Sequence, residues 1–335
     1  MKPGVFVTFD VECSMGGAWG DSGLRPVPPR RAMMGEYGGQ AFGLPLICDL
    51  LGWAGLAATF FVEAFTDEQG CPGEAERVCG WLLDRGQDVQ LHVHPNHRHW
   101  GMHVRGERFG RTDDIADLLA DGQRELLDEG VERLKGWTGR APVAFRAGNM
   151  AASEQTLEQL ARVGVRIDSS YTFAYLGGQC RFADHETYNG SKWYGDVLEV
   201  ALSGFRQPRL PGLHPAKPVD LVGISFGECR DAIEGICGAG ADAVTILHSF
   251  SLFKVRNVQY DGGRLNLIVT RRFRRLCEWL GSNRESYPTY TFGQLADAVA
   301  RGDYEARRVE PLTLGRPGRA LVRKGVQALN NLYWV

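Results

Sequence analysis

Residues 87–99 read Gln87-Asp88-Val89-Gln90-Leu91-His92-Val93-His94-Pro95-Asn96-His97-Arg98-His99, and the alternation within them sets the fold class. Val89, Leu91 and Val93 alternate with Asp88, Gln90, His92 and His94. That is the period of a β-strand, and it sets His92 and His94 on one face at the strand's end. Pro95 has no N–H and stops the ladder there. Four of the eight histidines of the chain fall between His92 and His99. Neutral imidazole is a common metal ligand, and two on one strand face can reach one ion. The competing reading is a polar loop that happens to be rich in histidine.

Outward from this stretch, short apolar runs alternate with amphipathic ones. Strands are predicted at Val5–Phe9, Ala58–Val62, Val89–His94, Val143–Phe145, Val165–Ile167, Val197–Val200 and Val244–Leu247, with a last short one at Thr289–Phe292. Helices are predicted at Leu44–Trp53, Glu74–Asp84, Asp113–Lys135, Ser153–Val163, Glu228–Ile236, Leu265–Leu280 and Gly293–Arg301. Parallel strands joined by crossover helices follow from this order. Seven or eight such units point to a distorted (β/α) barrel over residues 1–301, with an open doubly wound sheet as the alternative. The basic tail, 302–335, carries Arg316, Arg319, Arg323 and Lys324 among Leu321, Val322, Val326, Leu329 and Leu332. Two uses fit it: a helix packed on the barrel, or a peripheral contact with a membrane surface.

The chain of 335 residues is 44% hydrophobic and 23% charged with a formal charge of −2, so nothing in its balance calls for a nucleic-acid partner. No run reaches the roughly 20 apolar residues of a membrane span, and no signal peptide is evident at the start. A cytoplasmic protein is expected. The eight cysteines are scattered, and Cys48, Cys79 and Cys277 fall in apolar helical patterns, as buried thiols do.

The strand ends carry the chemistry. Asp10 and Glu12, His92 and His94, Arg146, Asp168, Glu199 and His248 all stand at C-terminal strand ends. In α/β barrels the active site is assembled at that face. A lone Asp at such a place is ordinarily a turn or capping residue; six such positions together point to a metal-assisted hydrolase. A divalent ion would take imidazole nitrogen and carboxylate oxygen. Asp10 and Glu12 point to the same side, so one can bind metal while the other acts as base. His248 suits a general acid. Arg146 either holds the base ionised or pairs with Asp168.

Five short segments then carry a family resemblance. Thr8-Phe9-Asp10-Val11-Glu12, Gly86–His92, Phe145-Arg146-Ala147-Gly148-Asn149, Asp168-Ser169-Ser170 and Leu247-His248 resemble, in order, the motifs of the polysaccharide deacetylases, also called the NodB-homology or carbohydrate esterase 4 family. The resemblance implies a distorted (β/α) barrel, a divalent metal, usually Zn2+, and hydrolysis of an N-acetyl group on an amino sugar. It implies Asp10 as base, Glu12 and His92 as metal ligands, Arg146 as the group orienting the base, and His248 as acid. Asn149, Asp168 and Glu199 are assigned to substrate contacts. Two departures stand out. Val11 replaces the family's second Asp, leaving Glu12 as the next carboxylate. Asn96 stands where the family's second His belongs, so His94 is the preferred second ligand and His97 its alternate. Other functions for the same residues are hydrolysis of a different C–N amide, allantoinase-like and metal-free, or an inactive barrel that binds carbohydrate. The loops 13–39, 95–112 and 171–196 are expected to roof the site with aromatic side chains.

Overall fold

The computed structural model describes residues 1–208, 214–314 and 317–331. One nine-stranded sheet organises them. Its strands in chain order are β1 (Val5–Val11), β2 (Thr59–Glu63), β3 (Asp88–Val93), β4 (Ala144–Ala147), β5 (Ile167–Asp168), β6 (Asn189–Tyr194), β7 (Val197–Val200), β8 (Ala243–His248) and β9 (Arg308–Val309). Across the sheet they run β8-β1-β2-β3-β4-β5-β7-β6-β9. The first seven are mutually parallel; at the far edge β6 pairs antiparallel with β7, and β9 antiparallel with β6. The sheet curls until its edges meet through isolated bonds. Ser203 N–H donates to the Val244 carbonyl at 3.2 Å, Val244 N–H donates to Ser203 Oγ at 2.9 Å, and Ile246 N–H donates to the Val219 carbonyl at 3.1 Å. The result is the expected distorted barrel, closed by side chains and loops where a ladder is missing.

Alternation along the strands sorts the core. Phe6, Phe61, Ala144, Ile167, Leu198, Val244 and Ile246 point inward and fill the lower barrel, plugged by Phe292 and Leu295. Val7, Phe9, Phe60, Val62, Val89, Leu91 and Phe145 point outward against the helices. The helices are α1 (Leu44–Ala54), α2 (Glu74–Leu83), α3 (Pro95–Val104), α4 (Ala120–Thr138), α5 (Glu154–Arg162), α6 (Phe226–Gly238), α7 (Leu267–Ser282), α8 (Phe292–Ala300) and α9 (Pro317–Asn331). Local chemistry fixes their ends. Gly55 closes α1 in the left-handed region at φ 62°. Ser153 and Thr156 form a capping box on α5, and Thr291 and Gln294 form one on α8.

Tertiary context overrides the sequence pattern in five places. The 95–112 loop is largely helix, because Pro95, which ends β3, also starts α3 at a position where its missing N–H is harmless. The 13–39 segment contains a short helix, Pro29–Ala32, and part of a hairpin. The 171–196 segment contains β6. The helix predicted from Asp113 breaks at Leu118-Leu119: Ala116 N–H is drawn to the Ala151 carbonyl, and Leu119 is left 85% exposed. Thr289–Phe292 makes a single bridge with Val5 where a strand was predicted. Phe292 N–H bonds Thr59 Oγ1 and Gly293 N–H bonds Asp88, which starts α8 instead.

All eight cysteines are unpaired, and Cys48, Cys79 and Cys277 are buried. Among the described residues no helix is long and apolar enough to cross a membrane. In α9, Arg323 is buried and bonded to Glu228 and Gln207, so this helix is seated on α6 by charge. Val322 is exposed. Arg316 and Leu332 lie outside the described residues, as do the side chains of Arg319, Leu321 and Leu329.

Removing one partner of a buried ion pair leaves the other charge unpaired, at a cost of about 3–5 kcal/mol. Arg323→Ala is therefore expected to free α9 first. Limited proteolysis should cut within 317–331 in the variant at protease levels that leave the parent intact.

Candidate active site

The inner face of the barrel turns polar at its upper end. Thr8 and Asp10 continue the row begun by Phe6, Glu63 follows Phe61, His92 follows Gln90, and His248 follows Ile246. Asp10 lies in register with His248, and Glu63 with His92.

Arg146 is the floor of this polar layer. Its side chain is fully buried. One terminal nitrogen donates to Asp10 Oδ1 and to Thr8 Oγ1, both at 2.8 Å. Nε donates to the Ser169 carbonyl at 3.0 Å, and the other terminal nitrogen reaches Ser169 Oγ at 3.1 Å. The guanidinium also lies 4.2 Å above the Phe61 ring. Arg146 pairs with Asp10 and not with Asp168. Thr8 and Ser169 were not singled out from the sequence, since only their contact with Arg146 marks them.

Above it, Glu12, His92 and His94 offer ligand atoms that all lie within 4.8 Å of one another. Glu12 Oε2 is 2.6 Å from His94 Nε2 and 3.3 Å from His92 Nε2. The other ring nitrogens are engaged elsewhere: His92 Nδ1 bonds the Arg146 carbonyl at 2.8 Å, and His94 Nδ1 bonds Asp113 Oδ1 at 3.0 Å. Both rings therefore present Nε2 to the cluster, the orientation that outer oxygen partners impose on metal-binding histidines. Asn149 donates to Asp113 and Asp114 at 3.1 Å each, so it steadies the partner of His94. A Cβ on Gly148 would lie 2.5 Å from the His94 ring, which requires glycine there.

The electrostatics follow from burial and proximity. Burial opposes charge on Glu12, but the charge of His94 and hydrogen bonds from His92 and His94 hold its carboxyl well below the usual range. Burial likewise opposes charge on His94, and Glu12 and Asp113 outweigh it and raise its pKa well above the ordinary value. His92 is raised against burial by Asp10 and Glu12. Glu63 is pushed up to about 7 by burial; it accepts the backbone N–H groups of Phe65 and His94 at 2.9 and 2.6 Å, and so holds the strand end that carries His94. His97 stacks on His94 with ring centres 5.2 Å apart and lies 3.7 Å from Glu63. Burial and the charge of His94 push it down to about 3, so it is neutral, and it stands outside the Glu12–His92–His94 group. His248 sits at the rim, 35% exposed, with Nε2 3.8 Å from Glu12 Oε1 and its ring stacked on Phe250.

Asp168 and Glu199 face elsewhere. They lie in register with each other, and Asp168 with Phe145, on the outer side of the sheet. Glu199 accepts Tyr171 N–H at 3.0 Å and Asp168 accepts Ser170 Oγ–H at 2.6 Å, beneath the stacked rings of Tyr171 and Tyr188. Strand period explains the difference: in Asp168-Ser169-Ser170 it is Ser169 that turns inward. The aromatic loops likewise pack on themselves, with Trp19 against Trp100 and Phe109.

Burial and the charge of Asp168 raise the pKa of Glu199 well above normal, so the folded pair holds a proton that the unfolded chain releases. The folded state then binds more protons between the unfolded and folded values, and stability falls as pH rises through that window. Glu199→Gln keeps the donor without the titration. Urea midpoints measured from pH 5 to pH 8 should fall less steeply in the variant than in the parent.

No protein-family model matches the sequence, and no curated protein matches it. Solved structures do. A Mycobacterium smegmatis protein provisionally named a polysaccharide deacetylase is 16% identical over 93% of each chain, with a TM-score of 0.52. A family 4 carbohydrate esterase from Streptomyces lividans, in complex with acetate, is 12% identical over 84% of this chain and 89% of its own, with a TM-score of 0.43. A family 4 pseudoenzyme from Bacillus anthracis is 13% identical over 94% and 70%, also at 0.43. At this distance the likeness is one of architecture: the chain has the distorted (β/α) barrel fold of the polysaccharide deacetylases.

Proposed function

We propose that the protein is a carbohydrate deacetylase that hydrolyses an N-acetyl group on an amino sugar with the help of a divalent ion, Zn2+ by preference. The observation that carries this is the convergence of Glu12, His92 and His94 beside the Asp10–Arg146 pair and His248. Two imidazoles and one carboxylate are a donor set that suits zinc and leaves room for further ligands. Both imidazoles have their Nδ1 atoms held by oxygen, and Nε2 is the atom each turns toward Glu12. Glu12, two positions beyond Asp10, would take the role of the family's second Asp.

Bound there, a divalent ion would supply positive charge to acidify water and polarise the acyl carbonyl. The chain's own groups do the rest. Arg146 occupies Asp10 Oδ1, which fixes the carboxylate and directs its other oxygen to take a proton from water. Thr8, bonded to Arg146 and to the Thr245 carbonyl, holds that pair in place. His248 stands at the open rim, where it can hand a proton to the departing amine nitrogen. Water enters, and acetate and the free amine leave.

Acetate release from N-acetylated sugars, with and without added Zn2+, tests this. Asp10→Asn and His248→Ala should each lower kcat by about 10²–10⁴, the contribution of one positioned acid or base. Metal content of purified variants gives a separate readout. His94→Ala should lose the ion, and His97→Ala should keep it. No acetate from a broad panel under either condition, or full activity in Asp10→Asn, contradicts the proposal.

A metal-free amide hydrolase is the rival that one contact favours, since Glu12 and His94 satisfy each other directly at 2.6 Å. Titration decides. Raised histidine pKa values make protons compete with metal. Zn2+ affinity should therefore keep rising with pH above 6.5, with protons released on binding; a protein that takes up no ion at any pH belongs to the rival class.

A further inference from the structure

One strained residue stands beside the site. The short strands Phe253–Val255 and Gly263–Leu265 pair as a hairpin, and the turn between them carries Tyr260. Tyr260 lies in the left-handed region at φ 56°, where a bulky side chain is an outlier. Its surroundings hold it there. Its N–H donates to the Asn257 carbonyl at 3.0 Å, and Asn257 Oδ1 accepts the N–H groups of Gln259 and Asp261 at 3.1 Å each. Gln259 Nε2 donates to the Arg25 carbonyl and Arg31 donates to Asp261, both at 2.8 Å, so the turn is tied to the 13–39 segment. Glycine would meet the same backbone demand without strain. Backbone strain fixed by so many partners gathers where a side chain has to be aimed.

The phenol is aimed at the reacting end. Tyr260 lines a cavity of about 570 Å³ together with His248, Phe250, Ser14 and Asn257. Phe250 stacks on His248 at 5.0 Å and meets the Tyr260 ring nearly at right angles at 6.5 Å. Phe253 meets it in the same manner at 6.3 Å. Burial and the negative charge of Glu12 raise the pKa of the phenol, so it keeps a proton to donate. Among the described residues its hydroxyl has no hydrogen-bond partner. With His248 handing a proton to the departing nitrogen, the rest of the leaving group falls on the His248 side, in this cavity. In a 2-amino sugar both carbons next to the one bearing nitrogen carry oxygen, so an acceptor lies beside the reacting atom.

We infer that Tyr260 contacts the substrate, its hydroxyl donating to a sugar oxygen next to the departing amine, and thereby selects an amino sugar over a plain amide. The assignment rests on the deacetylase reading for where the amine lies.

Tyr260→Phe removes the hydroxyl alone. Calorimetric titration with methyl β-D-glucosaminide, the deacetylated product, tests the contact without turnover. Its affinity should fall about three- to tenfold in the variant, the worth of one neutral hydrogen bond, with the melting temperature near the parent's. Cyclohexylamine has a six-membered ring and an amine but no hydroxyl, and it should bind both proteins alike. In acetate release from methyl N-acetyl-β-D-glucosaminide, kcat/KM should fall by a factor similar to that for product binding. No binding of the amino sugar by the parent, equal affinity in parent and variant, or the same loss for both amines overturns the assignment. Weaker amino-sugar binding in the variant, with no acetate released by either protein, supports the contact and overturns the deacetylase reading alone.

Discussion

A guanidinium with no solvent contact sits at the centre of this barrel, and the arrangement above it depends on how Arg146 is satisfied. Burying such a charge is expensive unless an opposite charge and further acceptors meet it. Asp10 gives the charge; Thr8, Ser169 and the face of Phe61 complete the shell. These partners come from β1, β2 and the turn after β5, so they join nearly opposite sides of the curled sheet. The apolar plug of Phe6, Phe61 and Phe292 lies below this layer and the histidine cluster above it. Arg146 thus marks the level at which the interior changes from packing to chemistry. Its backbone carbonyl reaches further: it accepts from His92 and fixes which ring nitrogen faces Glu12.

Much of this was legible in the chain because strand period is a strong signal and the polar residues break it at one end. The parallel order of strands, the inward direction of Asp10, Glu12 and His92, and the caps of α1 and α5 all follow from residues a few positions apart. The Asp10–Arg146 pair was foreseen as one of two alternatives, the other being Asp168. What the sequence hid depends on register between distant strands. Asp168 and Glu199 look like members of the polar ring, yet one residue of alternation turns them to the helix side and brings Ser169 inward. Asp113 gives no signal of its own, because it acts by reaching across 19 positions to His94. Glu63 stands one residue past the strand predicted at Ala58–Val62, and nothing local signals its hold on the His94 backbone.

The two departures from the family pattern share a geometric explanation. Glu12 shares the inner face with Asp10, whereas Val11 points to the helices and is part of the outer core. Moving the second imidazole from position 96 to position 94 takes it off α3 and onto the strand end, where Gly148 leaves room for its ring. Asp113 and Asn149 then hold that ring from behind.

The central claim is that Glu12, His92 and His94 enclose one ion. Anomalous X-ray scattering from a crystal grown with Zn2+, recorded on both sides of the zinc edge, tests it most directly. The account predicts a single strong peak in contact with Glu12 and with Nε2 of His92 and His94, and none at His97. A peak bound by His97 in place of His94, or no peak within this cluster at saturating zinc, would contradict it.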